Sequence, residues 1–150
     1  MHASACESLL PFLQPGSKVL DVGSGSGYLT HVLAELVKPG GRVVGVEHIQ
    51  PLVDLATANT GKSAEGRDLM ESGGIKYVKA DGRLGYEAGG PYDAIHVGAA
   101  AVEAHTKLVE QLKAPGRYVN TNTAGPSSPG RSFDGGGFGW SARRSSLANP

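Results

Sequence analysis

The run "SKVLDVGSGSGYLTHVLAELVKPGG", residues 17–41, passes from an apolar segment into a helical one through Gly23, Gly25 and Gly27. "SKVLDVG" reads as a strand. Leu29, Leu33, Leu36 and Val37 then fall on one helical face, and Pro39, Gly40 and Gly41 end that helix. A second apolar strand, "RVVGVEH", follows at once. Pro51 in "IQPLVDLATANTG" suits the first turn of a helix carrying Leu52, Leu55 and Ala56, with Gly61 beyond its end. Strand, helix, strand, helix in this order requires a parallel sheet with right-handed crossovers. The uninterrupted "VVGV" indicates burial on both faces of that sheet. The predicted fold is α/β, Rossmann-like and doubly wound, with a mostly parallel sheet.

The same reading extends along the chain. "ACESLLPFLQPG" gives a short opening helix with Ala5, Leu9, Phe12 and Leu13 on one side, ended near Leu10 by Pro11. "KSAEGRDLMESGG" is polar and reads as a connection with at most one helical turn around Asp68 to Glu71. "IKYVKAD" is a third strand, "GRLGYEAGGP" a set of turns, and "YDAIHVG" a fourth strand. "AAAVEAHTKLVEQLKAPG" then reads as a helix, and "RYVN" opens a fifth strand. From Thr121 onward Gly, Pro and Ser make up 15 of the last 30 residues, and no apolar period survives. Such a segment cannot offset an ordering cost of ~1–2 kcal/mol per residue. The expected division is therefore a domain over 1–120 and a mostly disordered tail over 121–150. The sheet would be incomplete at its C-terminal end, with an exposed edge at the fifth strand.

Composition removes several function classes. Lys and Arg number 14 and Asp and Glu 14, so no net field draws the chain to nucleic acid or to an acidic membrane. Cys6 is the single cysteine, which excludes an internal disulfide or a cysteine-built zinc site and fits a reducing compartment. No apolar run approaches the ~20 residues that span a bilayer, and "MHASACESLL" lacks a basic leader segment. A cytoplasmic monomer is expected. The histidines show no metal-ligand spacing. His31 and His105 read as polar helix residues, and His96 as either a residue facing a reaction centre or a satisfied core histidine.

The glycine turn departs from a dinucleotide-binding one, which places glycines at positions one, three and six. Gly23 and Gly25 match, but the sixth position is Tyr28, and no Gly-Lys-Ser/Thr follows to make a P-loop. Asp21, two residues before the first glycine, would repel a pyrophosphate and suits a cationic group, directly or through water. The inferred ligand is S-adenosyl-L-methionine, whose ammonium and sulfonium are positive and which carries no phosphate. Glu47, twenty residues after Gly27 at the end of the second strand, can accept from both ribose hydroxyls. Asp81-Gly82, after the third strand, can take an adenine amino proton while the glycine admits the ring. His48 could line the same pocket or simply pack. Each feature has an ordinary alternative: a tight strand-to-helix turn, a solvated carboxylate, a plain turn. Their joint placement at three successive strand ends favours a nucleoside ligand.

With these residues in place the chain resembles the protein-L-isoaspartate O-methyltransferase family. The resemblance rests on "MHA", "LDVGSGSGYLT", "VVGVEHI", "DGRLGY" and "PYDAIHVGAAA", in the family's order, from Met1 to about Tyr118. It implies methyl transfer from S-adenosyl-L-methionine to the free carboxyl of L-isoaspartyl residues in damaged proteins, a repair function. Carried over by position, its cofactor contacts fall on His2, Ser26, Glu47, Asp81 and Gly82. The family's active-site serine belongs to a Thr-x-Ser-Ala-Pro-His segment placed before Met-His-Ala, so no catalytic residue is assigned between Met1 and Pro150. The family's apolar continuation past the fifth strand is also replaced, by "NTNTAGPSSPGRSFDGGG". The pattern lost at both ends reads as a fragment or a mis-spliced frame with weak or absent turnover. Two other functions stay open: methylation of another acceptor, and a non-catalytic cofactor-binding remnant.

Overall fold

The computed structural model describes residues 9–98, 106–120 and 131–133. A short 3-10 turn at Leu10–Phe12 leads into β1 (Lys18–Val22), α1 (Tyr28–Leu36), β2 (Arg42–Glu47), α2 (Gln50–Thr60), α3 (Ala64–Ser72) and β3 (Ile75–Lys79). Two further 3-10 turns, Gly82–Leu84 and Glu87–Gly89, precede β4 (Tyr92–Val97), α4 (Thr106–Glu110), β5 (Leu112–Asn120) and β6 (Arg131–Phe133). The strands form one sheet in the order β3-β2-β1-β4-β5-β6. β1 to β5 run parallel and β6 pairs antiparallel to β5. The predicted α/β, doubly wound and mostly parallel sheet is the one observed.

Alternation along the strands builds two cores. Val19, Val43, Ile75, Ala94 and Val119 point to one face, under Leu29, Leu33 and Val37 of the first helical segment and Leu69 of α3. Leu20, Val44, Val46, Tyr92, Ile95 and Tyr118 point to the other, with Leu108 of α4. Because both faces are covered, the central strands are apolar at nearly every position, which is why "VVGV" shows no polar alternation. Chain order runs outward from β1 to β2 and β3 on one side and through β4 and β5 on the other. The direction reverses between β1 and β4, the switch point at whose carboxyl strand ends open parallel sheets bind their ligands.

Three predicted elements are corrected. Residues 64–72 form a nine-residue helix where a connection with at most one turn was expected. Ser63 caps it by accepting from the Gly66 amide at 3.0 Å, and Gly73 ends it in the left-handed region at φ 81°. Its apolar stripe is short, because Gly66 sits hard against the Thr60 carbonyl, where a Cβ would lie 1.8 Å from the oxygen. The second correction concerns "LKAPG", expected as the end of a helix, which is the start of β5. Tyr92 pairs with Leu112 and Ala94 with Arg117, so the intervening residues of β5 bulge out of register. A proline lacks the amide that a regular ladder needs, and the bulge accommodates it. Thirdly, Arg131–Phe133 lies in the expected disordered tail but forms β6, which pairs along the outer side of β5. The rest of that tail, the opening helix before Leu9, and the first part of the helix before α4 lie outside the described residues.

Tyr92 closes the second core beneath the turns that follow β3. It has no exposed surface, and its hydroxyl donates to the Tyr86 carbonyl. Burial, with a smaller effect of the Tyr86 phenol, pushes the Tyr92 hydroxyl well above the ordinary tyrosine range. In the unfolded chain that phenol ionises near its usual value of about 10. Its contribution to stability is thus whole below about pH 10 and is lost as pH rises further, because the folded state holds the proton and the unfolded state releases it. Urea midpoints at about pH 8 and about pH 11 should show the wild-type chain losing stability relative to Tyr92→Phe. A difference that stays constant with pH would contradict the assignment.

Candidate cofactor crevice

Four segments meet at the carboxyl edge of the sheet: the turn after β1, Glu47-His48 after β2, Asp81-Gly82 after β3, and Gly98 after β4. Backbone hydrogen bonds bind them together beyond the strands. Gly23 N donates to Val46 O at 2.8 Å, Gly98 N to Val22 O at 2.8 Å, and Ala80 N to Glu47 O at 3.1 Å. Gly23, Gly25 and Gly27 have φ of 78°, 53° and 84°, values that side-chain-bearing residues rarely adopt. A Cβ on Gly25 would meet only the Gly23 carbonyl, at 4.0 Å, so the backbone there is open to a ligand. A Cβ on Gly27 would lie 2.6 Å from the Tyr77 hydroxyl and 2.9 Å from the Ala56 Cβ. Gly25 leaves room above the turn, and Gly27 lets it press down on α2 and β3.

Glu47 is buried. One carboxylate oxygen accepts from Gly25 N at 3.2 Å; the other accepts from His48 N at 3.1 Å. The same oxygen stands 3.2 Å from Nδ1 of the exposed His48 ring. A carboxylate offers about four lone-pair positions, so Glu47 retains acceptor capacity toward the crevice. Ser26 is exposed at the tip of the turn, and its carbonyl accepts from the Asn59 side-chain amide at 3.1 Å. Asp81 caps the following 3-10 turn by accepting from Arg83 N at 3.0 Å. Its carboxylate also holds the Arg83 guanidinium, Nη2 to Oδ2 at 2.9 Å. Gly82 is tight for a second reason besides ligand access: a Cβ would come 2.5 Å from Val22 Cγ1.

Asp21 lies beneath the turn, 1% exposed. Oδ2 accepts from the Thr30 hydroxyl at 2.6 Å, and Oδ1 stands 2.9 Å from Nδ1 of His96. Both oxygens are therefore engaged inside the protein, on α1 and on β4. The two readings left open for His96 resolve here toward a satisfied core histidine: it lies within β4, 3% exposed, directly opposite Asp21 in the ladder. On the other side of Asp21 stands Gly45, and beside that Tyr77. A Cβ on Gly45 would fall 2.9 Å from the Tyr77 ring and 3.0 Å from Ser24 Cβ. The Tyr77 hydroxyl contacts Thr60 Oγ1 at 2.6 Å and donates to Gly27 O at 3.3 Å. Burial raises its pKa, the Thr60 hydrogen bond opposes this, and the Asp21 carboxylate adds to the rise.

Of the residues singled out in the sequence, Gly23, Gly25, Ser26, Gly27, Glu47, His48, Asp81 and Gly82 stand at the carboxyl ends of β1, β2 and β3, whereas Asp21 lies inside β1 with both carboxylate oxygens engaged by Thr30 and His96. His2 lies outside the described residues. The reading missed the layer below: Thr30, Gly45, Asn59, Thr60 and Tyr77. One signal was present, since an isolated glycine inside an apolar strand marks a close approach, and Gly45 is that glycine. Thr30, a hydroxyl next to the helix's apolar stripe, gave none. Among the described residues no three His, Cys, Asp or Glu side chains gather as metal ligands, and no helix is long and apolar enough to cross a membrane.

Residues 1–122 match the family model of protein-L-isoaspartate(D-aspartate) O-methyltransferase. The chain belongs to that family. A protein-L-isoaspartate O-methyltransferase of Triticum aestivum is 54% identical over 119 residues, covering 79% of this chain and 51% of the relative. One from Caenorhabditis elegans is 44% identical over 119 residues, 79% of this chain and 52% of the relative. The chain thus spans about half the length of the curated relatives it matches. Among solved structures, a family protein of Plasmodium falciparum in complex with S-adenosyl-L-homocysteine superposes with a TM-score of 0.73 at 28% identity. It covers 91% of this chain and 66% of that one. A second protein-L-isoaspartate O-methyltransferase gives a TM-score of 0.71 at 26% identity, covering 89% and 41%.

Asp21→Asn keeps the shape but removes the charge that faces Thr30 and His96. It should cost about 1.5–3 kcal/mol of unfolding free energy, the range for hydrogen bonds to a charged group. Urea denaturation measures this, and a loss below about 0.5 kcal/mol would mean that the layer under the turn is not a structural tie.

Proposed function

We propose that the crevice binds S-adenosyl-L-methionine and that the chain serves methyl transfer from it to the free carboxyl of L-isoaspartyl residues in damaged proteins. The observation that carries this reading is the hydrogen bond between Glu47 and the amide of Gly25. It joins the carboxylate assigned to the ribose to Gly25, where the backbone of the turn is open, so that both can address a single ligand. The residues present suit the cofactor: an open backbone at Gly25, spare acceptor capacity on Glu47, and Asp81 half-exposed beside Gly82. Gly23, Gly25, Ser26 and Gly27 would hold the amino-acid part, Glu47 and His48 the ribose, and Asp81 and Gly82 the adenine. Asp21 would act from below, by fixing the turn. His2 joins the set by resemblance.

When bound, the cofactor supplies an electrophilic methyl group on a positive sulfur. An isoaspartyl carboxylate is ionised at neutral pH, so this chain need provide no strong general base. Its residues act by fixing the donor's orientation and by excluding water, since an in-line displacement that quenches charge runs faster in a drier site. The cofactor-binding domain occupies 1–120 in this reading. Its partners in this reading are isoaspartyl-containing proteins, met by a cytoplasmic monomer, and the balanced charge gives no net attraction to nucleic acid or to an acidic membrane.

Titration calorimetry with S-adenosyl-L-homocysteine tests the binding. Glu47→Ala should weaken it by about 1–3 kcal/mol, the worth of hydrogen bonds to a charged acceptor. Unchanged affinity would retire Glu47 as the ribose partner. Transfer of tritiated methyl to an isoaspartyl peptide, absent with the normal aspartyl peptide, tests the acceptor.

A further inference from the structure

Gln111 lies between α4 and β5 and is more than nine-tenths buried. Its side-chain carbonyl accepts from Tyr86 N at 2.9 Å, and its side-chain amide donates to Leu84 O at 2.8 Å. Its backbone carbonyl accepts from Tyr92 N at 2.8 Å. The two side-chain bonds straddle Gly85, which has φ 64° and stands where a Cβ would lie 2.4 Å from Gln111 Oε1. On the other side, Leu84 N donates to Asp81 O at 3.0 Å, and Gly85 N to Gly82 O at 3.2 Å. The 3-10 turn that begins at Asp81-Gly82 is therefore closed at its far end by one side chain from the opposite half of the sheet. An amide is suited to this because it donates and accepts at once. A glutamate would only accept, and a methionine would do neither.

We propose that Gln111 is a positioning residue for recognition of the adenine ring, acting through the Leu84–Tyr86 backbone on the Asp81-Gly82 step. The proposal rests on the assignment of Asp81-Gly82 to the adenine. Asp81 and its neighbours lie in turns, half-exposed, and a turn holds an acceptor at a fixed point only if its ends are held. Arg83 and Leu84 are exposed, so neither anchors the segment by burial. Gln111 provides the anchor, with Tyr92 bonding the Tyr86 carbonyl from the adjacent strand.

Gln111→Met keeps volume and removes both bonds, and Gln111→Glu keeps only the one from Tyr86 N. Two ligands are titrated, S-adenosyl-L-homocysteine and its inosyl counterpart, in which a carbonyl replaces the adenine amino group. Amide hydrogen exchange is followed in the ligand-free chain. Gln111→Met should weaken S-adenosyl-L-homocysteine about 5-fold to 50-fold, with Gln111→Glu in between. Preference over the inosyl ligand should shrink by a similar factor, and the Tyr86 amide should exchange at least about tenfold faster. Equal losses on both ligands, with preference intact, would reduce Gln111 to a stability role and overturn the proposal. So would unchanged Tyr86 exchange in both variants, which reads the clamp without any ligand. A wild-type chain that binds neither ligand overturns the cofactor reading itself, whereas wild-type binding with an unaffected Gln111→Met overturns only the role of Gln111.

Discussion

The carboxylate of Asp21 is removed from water at the centre of the sheet, and the protein must satisfy it from within. Thr30 and His96 do so. An unpaired charge at that depth would cost several kcal/mol, so the two bonds constrain where α1 and β4 stand relative to β1. The glycine turn is the piece of chain between Asp21 and Thr30. Its two ends meet at one carboxylate, and its path is therefore fixed from below while its upper surface stays open. The rest of the site inherits this. Gly45 has no side chain because Tyr77 and Ser24 fill the space next to Asp21, and Tyr77 in turn reaches Thr60 and the Gly27 carbonyl.

This arrangement separates two tasks that a reading of the turn alone merges. Asp21, taken by itself, suits a cationic ligand, but its oxygens are committed to α1 and β4. The acceptors at the strand ends are Glu47 and Asp81, on the neighbouring strands β2 and β3 to one side of β1. Glu47 is tied to the turn through Gly25, and Asp81 to the segment that ends at Gln111. A ligand lying across the strand ends would thus meet a backbone held by Asp21 and side chains held by hydrogen bonds to backbone amides.

Much of this was legible in the chain, and the reasons are physical. The βα repeat is written in apolar period and glycine, both local, so the succession of strands and helices and the strand-end position of Glu47 and Asp81 followed from counting. Helix α3 was missed because its signal is a Ser63 cap and a single buried leucine, Leu69, in an otherwise polar run; its packing against the Thr60 backbone depends on a glycine rather than on an apolar side chain. The early start of β5 was hidden by Pro115 and Gly116, which read as a helix end and turn out to be a bulge. Contacts between residues far apart in sequence, such as Asp21 with His96 or Gln111 with Tyr86, leave no local pattern. Only the register of the sheet brings them together.

The central claim is that one ligand spans the turn, Glu47 and Asp81-Gly82. Backbone amide chemical shifts, followed as S-adenosyl-L-homocysteine is added to the isotope-labelled chain, test it most directly. The account predicts that the largest changes fall on Gly25, Ser26, His48 and Gly82, saturating together with one binding constant. Saturable changes confined to another part of the molecule, or none at ligand concentrations of several millimolar with the chain folded, would contradict it.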